Sequence, residues 1–235
     1  MTTWVRALCF DANDPELLAR FWGGVLQLEV ADDASGGKML PAQDTETGFT
    51  LRFLPVPNEK WGPNQSHFDL TSATAEDQQA TVDRALALGG KHIDVGQTPD
   101  EGHVVLADPE GNEFCVIEAG NNFLANTAAI GALSSDGTQA VGYFWSKALD
   151  WPLVWDQDEE TAIQSPHGGS KISWGGPPVA EKLGRNRLHL ELATDNVRAE
   201  ADRLVTLGAT VTGELADGVE LTDPDGNEFR LVTAR

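Results

Sequence analysis

An α+β protein assembled from four βαβββ units is the expectation for this chain of 235 residues. Three repeated signatures carry it. DPEGNEFCVI, Asp108 to Ile117, returns as DPDGNEFRLV, Asp223 to Val232; Phe21-Trp22 returns as Phe144-Trp145; HFDL from His67 returns as HLEL from His189. Asp-Pro followed by Glu-Gly-Asn or Asp-Gly-Asn is turn chemistry, since proline fixes φ early and Gly and Asn accept the left-handed region at the end. A strand follows each turn. Glu113, Cys115 and Ile117 share one face and Phe114 and Val116 the other, as do Glu228, Arg230 and Val232 against Phe229 and Leu231.

Taken in order, Trp4 to Asp11 alternates as a strand. Asp14 then caps a helix with Pro15 in its first turn, and Leu17, Leu18, Phe21, Trp22 and Val25 form its apolar face. Past Gly23-Gly24, strands are expected around Gln27 to Ala31, Lys38 to Pro41 and Gly48 to Leu54. A Pro-rich link, PVPNEKWGPNQ, leads to strand His67 to Thr71 and helix Ala75 to Leu88, ended by Gly89-Gly90. Strands near Lys91 to Val95, His103 to Ala107 and Glu113 to Glu118 complete the unit. AGNNFLANT, Ala119 to Thr127, reads as the boundary between a first domain over 1–120 and a second over 121–235, which repeats the plan.

Sixteen Lys and Arg against 37 Asp and Glu give a net charge of -21. Such a field repels phosphate backbones and anionic membranes, so neither nucleic acid nor a membrane is an expected partner. With 40% hydrophobic and 23% charged residues, disorder is not indicated. Cys9 and Cys115 lie inside expected strands and outside any CxxC spacing, which favours reduced thiols over a disulfide framework or zinc knuckle. The opening MTTWVRALCF is too short and polar for a signal peptide, and no apolar run approaches about 18 residues, so a cytoplasmic location is expected. No Gly-rich phosphate loop or Ser/His/Asp arrangement stands out.

Together, the capped helix bearing FW, the HFDL and HLEL strands, the helices ending LGG or LGA and the DPxGNEF turns resemble the vicinal oxygen chelate superfamily. This is the group of glyoxalase I, extradiol dioxygenases, fosfomycin-resistance thiol transferases and bleomycin-binding proteins. The likeness covers nearly the whole chain and is closest to glyoxalase-like domains, here present twice. It implies two βαβββ modules per domain, each pair curling into a half-open mixed β-barrel around a cavity. It also implies a metal site in the metal-using members, with one His, Gln or Glu from the first and the last strand of each module. A divalent ion needs several such donors converging while positions stay open for substrate.

Carried over residue by residue, that donor set is depleted. The opening-strand position falls on Ala7 and, in the second half, on Ile130. FTLRFL and SKISW offer Thr50, Arg52, Lys171 and Ser173, and the second modules open with His67 and His189 but close with Cys115 and Arg230. A guanidinium at Arg230 repels a divalent cation and is expected to pair with Glu191 or Glu228. No cofactor is therefore expected in the second domain. In the first, His67, Asp69 and Cys115 with Cys9 leave a divalent metal open, His67 being the one surviving ligand position.

His67 and His189 read as pocket residues or as barrel-lining residues satisfied by carbonyls, and Cys115 as a nucleophile with His67 as base or as a small buried hydrophobe. Trp61 and Trp174 are expected at a cavity mouth, stacking on a flat ligand or sealing a seam; Trp22 and Trp145 in the core; Trp151 and Trp155 at a domain or subunit interface. The function expected is binding of a small molecule, an aromatic or antibiotic-like compound. Its cavities would be lined by His67, Asp69 and Cys115 or by His189, Glu191 and Arg230, with Arg52, Trp61 and Trp174 contributing. The alternatives are a divalent-metal lyase, isomerase or dioxygenase and a metal-independent catalyst with His67 as general base. The two domains are expected to pair within the chain, and a further homodimer stays open.

Overall fold

The computed structural model describes residues 3–42, 48–98 and 100–234. Four strand–helix–three-strand modules follow one another. The first holds β1 (Thr3–Ala12), α1 (Pro15–Leu26), β2 (Ala31–Asp32), β3 (Lys38–Leu40) and β4 (Leu51–Pro55), and the second β5 (Ser66–Leu70), α2 (Ala75–Ala87), β6 (Lys91–His92), β7 (Val104–Ala107) and β8 (Glu113–Val116). The third holds β9 (Ile130–Ser135), α3 (Gln139–Leu149), β10 (Leu153–Gln157), β11 (Glu160–Ser165) and β12 (Gly168–Trp174). The fourth holds β13 (Leu188–Thr194), α4 (Val197–Leu207), β14 (Thr210–Leu215), β15 (Gly218–Thr222) and β16 (Glu228–Thr233).

All four helices start alike. Asp14, Thr74, Thr138 and Asn196 each accept the backbone N–H three residues on, satisfying a donor the helix cannot pair. The strand expected from Gln27 shrinks to Ala31–Asp32, because Gln27 takes a left-handed φ of 58° as the C-cap of α1.

Two of the three repeated signatures turn out to touch. Trp22 Nε1 donates to Asp108 Oδ2 at 3.2 Å, and Trp145 Nε1 to Asp223 Oδ2 at 3.1 Å. Each Asp also accepts backbone N–H groups of its own turn, from Glu110 and Asn112 and from Asp225 and Asn227. The helix of an odd-numbered module is thereby pinned to the last turn of the module that follows it. Around that pin, Phe10, Phe21, Trp22, Phe53, Phe68 and Phe114 pack ring against ring. The links match as well: Lys60 bonds Gly62 O and Glu113, and Lys182 bonds Gly184 O and Glu228.

Packing and these side-chain hydrogen bonds thus join modules within a half, but strand pairing joins modules across the halves. One eight-stranded sheet runs β14-β15-β16-β13-β1-β4-β3-β2 and the other β10-β11-β12-β9-β5-β8-β7-β6. First and fourth modules share the former through antiparallel β1 and β13, and second and third share the latter through antiparallel β5 and β9. The cavities expected from two modules of one half are instead built from one module of each. Local sequence sets each module, whereas module pairing rests on two strand contacts without a local signature. Neither sheet closes into a barrel. Among the described residues no helix is long and apolar enough to cross a membrane.

Candidate functional site

The registers make the concave faces of the two sheets equivalent position by position. In the first, His189 lies opposite Cys9 and Glu191 opposite Ala7, with Arg52 beside Cys9 and Arg230 beside Glu191. In the second, His67 lies opposite Ser134 and Asp69 opposite Ala132, with Ser173 beside Ser134 and Cys115 beside Asp69. Ile130 does not hold the opening-strand position expected of it. A bulge between Asp69 and Leu70 sets Ile130 opposite Leu70, and it packs into the core. Ala132 takes its place, again without a donor. Three further regroupings follow from the cross-half pairing. Arg52 and Cys9 belong with Glu191 and His189, not with His67, and Trp61 lines a cavity with Asp11, Arg185 and Arg187.

The first cup is filled by its own side chains. Arg52 Nη1 donates to both oxygens of Glu191 at 2.6 and 2.7 Å, while its Nε and Nη2 reach Asp33 at 2.6 and 2.9 Å. The Arg52 fork holds the Asp33 carboxyl down at about 2, against the effect of burial. Glu191 is thus claimed by Arg52, with Arg6 Nε at 3.6 Å, and Glu228 by Lys182. Arg230 therefore lacks the carboxylate expected for it, and its buried Nε has no hydrogen-bond partner among the described residues. Both ring nitrogens of the buried His189 are likewise unpartnered there, and Asp11 Oδ1 lies 3.9 Å from Nδ1. Burial, then the charges of Arg230, Arg185 and Arg52, push His189 well below the ordinary histidine range. Burial, and next Glu191, pushes the Cys9 thiol far up. One neutral imidazole flanked by two guanidiniums is not a divalent-metal site. At the rim, a cavity of about 470 Å³ is bounded by Trp61, Arg185, Arg187 and Asp11, and the indole is 73% exposed.

The second cup is shaped by shorter side chains and stays open. The ligand atoms of His67, Asp69 and Cys115 lie within 4.8 Å of one another. His67 Nε2 is 3.4 Å from Asp69 Oδ1, Ser134 Oγ donates to Asp69 Oδ2 at 2.5 Å, and Ser134 meets Ser173 at 3.1 Å. Burial works against a cationic His67, but hydrogen bonds to Asp69 and Cys115 and their charge outweigh it and lift its pKa to about 10. Above this floor, about 370 Å³ of cavity is bounded by His67, Ser134, Ser173, Phe123, Trp155 and Trp174. Phe123 and Trp155 meet edge to face at 6.1 Å, and Lys171 Nζ sits 4.5 Å from the Phe123 centroid and donates to its carbonyl.

Trp174 ends β12 as a buried wall of this cavity and not as part of a link. Phe123 and Trp155 were not expected to line this cup: Phe123 lies in the boundary stretch, and Trp155, expected at a domain or subunit interface, sits where the two halves meet. The only hint was the lone aromatic ring inside AGNNFLANT. As for metal, imidazole, carboxylate and thiol converge here, so His67, Asp69 and Cys115 fit a three-donor site for an ion such as zinc, provided His67 gives up its proton.

Comparison with known proteins agrees with this architecture. A family model for a glyoxalase-like domain matches residues 7–117 and again 132–232. Glyoxalase I from Zea mays superposes with a TM-score of 0.72 at 14% identity, covering 99% of this chain and 92% of that one. A putative dioxygenase from Bacillus subtilis gives 0.64 at 12% identity over 97% and 84%. At such identities the likeness is one of fold. No curated protein matches the chain. With both repeats matched and the module plan shared, the chain belongs to the glyoxalase-like domain family, as a tandem member of the vicinal oxygen chelate superfamily.

Proposed function

We propose that the protein binds a small, flat organic molecule in the cup of the second sheet. One contrast carries the reading: of two equivalent cups, the first is occupied by the Arg52 network, while the second keeps open space between a polar floor and aromatic walls. Phe123, Trp155 and Trp174 offer ring faces, and the protonated His67 and the hydroxyls of Ser134 and Ser173 offer hydrogen bonds to a polar edge. An aromatic or antibiotic-like compound fits that chemistry, and the net charge of -21 favours a cationic or neutral one over a polyanion. Cys9 and Cys115 are free thiols, in different sheets, which suits a reducing cytoplasm. Titration of an aromatic compound panel, followed by tryptophan fluorescence, tests the reading. A true ligand loses affinity in Trp155→Ala and in Ser173→Phe, which fills the cup; quenching that is indifferent to both changes defeats it.

The convergence of His67, Asp69 and Cys115 supports a second reading, a divalent metal in the same cup that supplies Lewis-acid chemistry to the bound molecule. His67, Asp69 and Cys115 would hold the ion, with Asp69 oriented by the hydrogen bond from Ser134. Elemental analysis of protein purified without a His-tag, beside His67→Ala, separates the two. Stoichiometric metal lost in the variant favours the chelate, and protein that takes up neither zinc, nickel, manganese nor iron retires it.

A further inference from the structure

A larger space than either cup lies elsewhere. Between the first half of β1, the end of α3 and the β11–β12 turn is a groove of about 870 Å³, against about 470 Å³ in the rim cavity beside Trp61 and 370 Å³ in the second cup. Acidic residues outnumber basic ones 37 to 16 in the chain, yet among the described residues Arg6, Lys147 and Arg203 line this groove with Asp150 as the one lining carboxylate. Trp4 and Trp151 supply ring surface, Trp4 being 42% exposed.

We propose that this groove is a separate binding site for a small planar carboxylate carrying one negative charge. The first support is how Arg6 comes to be there. Pairing of β1 with β13 shifts register between Val5 and Ala7, a bulge at Arg6 of the kind that re-aims a side chain. Its nearest acid, Glu191 at 3.6 Å, already accepts two hydrogen bonds from Arg52, and Arg6 makes no hydrogen bond among the described residues. The Lys147 ammonium makes none there either and is also free to donate. Arg203 has the opposite role. It is held by Glu200 and donates to the carbonyls of Lys147 and Ala148, which ties down the end of α3 and offsets the negative pole of that helix beside the groove. A carboxylate bonded by Arg6 and Lys147 would place its ring against the indoles, and a polyanion would meet the field of the remaining acidic surface.

The test is calorimetric titration of the full chain with 2-naphthoate and with 2-naphthamide, which has the same shape and no charge. The Trp155→Ala background removes a wall of the second cup, so events there are separated from the groove and the outcome is independent of the function proposed above. One saturable event with naphthoate is expected to remain in that background. It should weaken at least about ten-fold with naphthamide, and by a similar factor in Arg6→Gln or Lys147→Gln. The amide comparison needs no further substitution and so stands even if a variant folds poorly. No saturable event in the Trp155→Ala background, equal affinity for acid and amide, or indifference to both groove variants overturns the proposal.

Discussion

Arg52→Ala is the sharpest perturbation available, because a single guanidinium serves two buried carboxylates from opposite ends of the chain. Arg52 and Asp33 come from the first module and Glu191 from the fourth, and the side chains of Asp33 and Glu191 are each 4% exposed. Truncation leaves both acids without their main cation, a change that costs about 3–5 kcal/mol for a buried pair. Arg6 at 3.6 Å from Glu191 retains part of the compensation, so about 3 kcal/mol is expected at neutral pH. The pH dependence gives an independent magnitude. Hydrogen bonds from Arg52 first, and from Ser35, hold Asp33 at about 2 instead of 3.8, so the Arg52 share is at most about 2.5 kcal/mol at roughly 1.4 kcal/mol per pH unit. A depressed carboxylate stabilises the fold above its unfolded value of 3.8, and that contribution is lost as pH falls through about 2. About half should remain near pH 3, so the gap between wild type and variant narrows from pH 7 to pH 3. Urea denaturation at both pH values reads it. A loss below about 1 kcal/mol at pH 7, or a gap that does not change with pH, would refute the reasoning. Arg52→Met combined with Asp33→Asn and Glu191→Gln should recover much of the stability, since none of these three charges is then left buried.

Trp22→Phe and Trp145→Phe each remove an indole donor from a buried carboxylate, and each should cost about 1–3 kcal/mol in urea denaturation, with similar values for the two. Burial lifts Asp108 and Asp223 to about 6, so stability from these groups falls as pH rises from 3.8 through 6, and each substitution should steepen that fall. In metal-free protein, carbon-detected NMR should find His67 cationic through neutral pH and titrating near 10, while the equivalent His189 shows no step through the ordinary histidine range. The signs are opposite: the His67 contribution is full below 6.5 and lost toward 10, and buried neutral His189 lowers stability as pH falls below 6.5. Cys9 is fully buried, so N-ethylmaleimide followed by mass spectrometry should leave it unmodified in the folded protein and label it after denaturation. Segments 1–120 and 121–235 produced separately should each expose the strand edges that β1, β5, β9 and β13 pair, and should recombine into a heterodimer on mixing; light scattering that finds each a stable monomer counts against cross-half pairing.

Elements with a local code were legible. Asp14-Pro15 set the start of α1, and the helix expected from Ala75 to Leu88 is found as Ala75–Ala87. The faces of β8 followed from alternation, with Phe114 and Val116 in the core and Cys115 turned away from it beside Asp69. The convergence of His67, Asp69 and Cys115 was legible because two adjacent strands of one module carry them, whereas Cys9, expected beside them, lies in the other sheet. Features that depend on module pairing were out of reach. Nothing near Arg52 points to Glu191, which lies 139 residues away, and so Arg230 was assigned the acid that Arg52 takes. Phe123 gives no periodic signal in a connecting stretch, and its place beside Trp155 exists only after the third module folds back onto the second.

Side-chain reach explains why equivalent backbones yield unlike cups. At one position the first sheet carries Arg52 and the second Ser173. The arginine spans the cup to Glu191 on the far module, so that carboxylate is neutralised from inside and the space is consumed. Serine cannot span it. Asp69 is satisfied instead from its own rim, by Ser134 and His67, which leaves a proton on His67 and room above it. A second exchange acts in the same direction. Arg230 adds charge that disfavours a protonated His189, whereas Cys115, at the matching place, hydrogen-bonds His67 and favours its cation. The exchanges of Arg52 for Ser173 and of Arg230 for Cys115, with Ser134 in the place of Cys9, therefore separate a cup that clamps the first module to the fourth from a cup that stays open. The clamp also leaves the open cup free of the main structural duty, since loss of Ser173 or Cys115 removes no ion pair between modules.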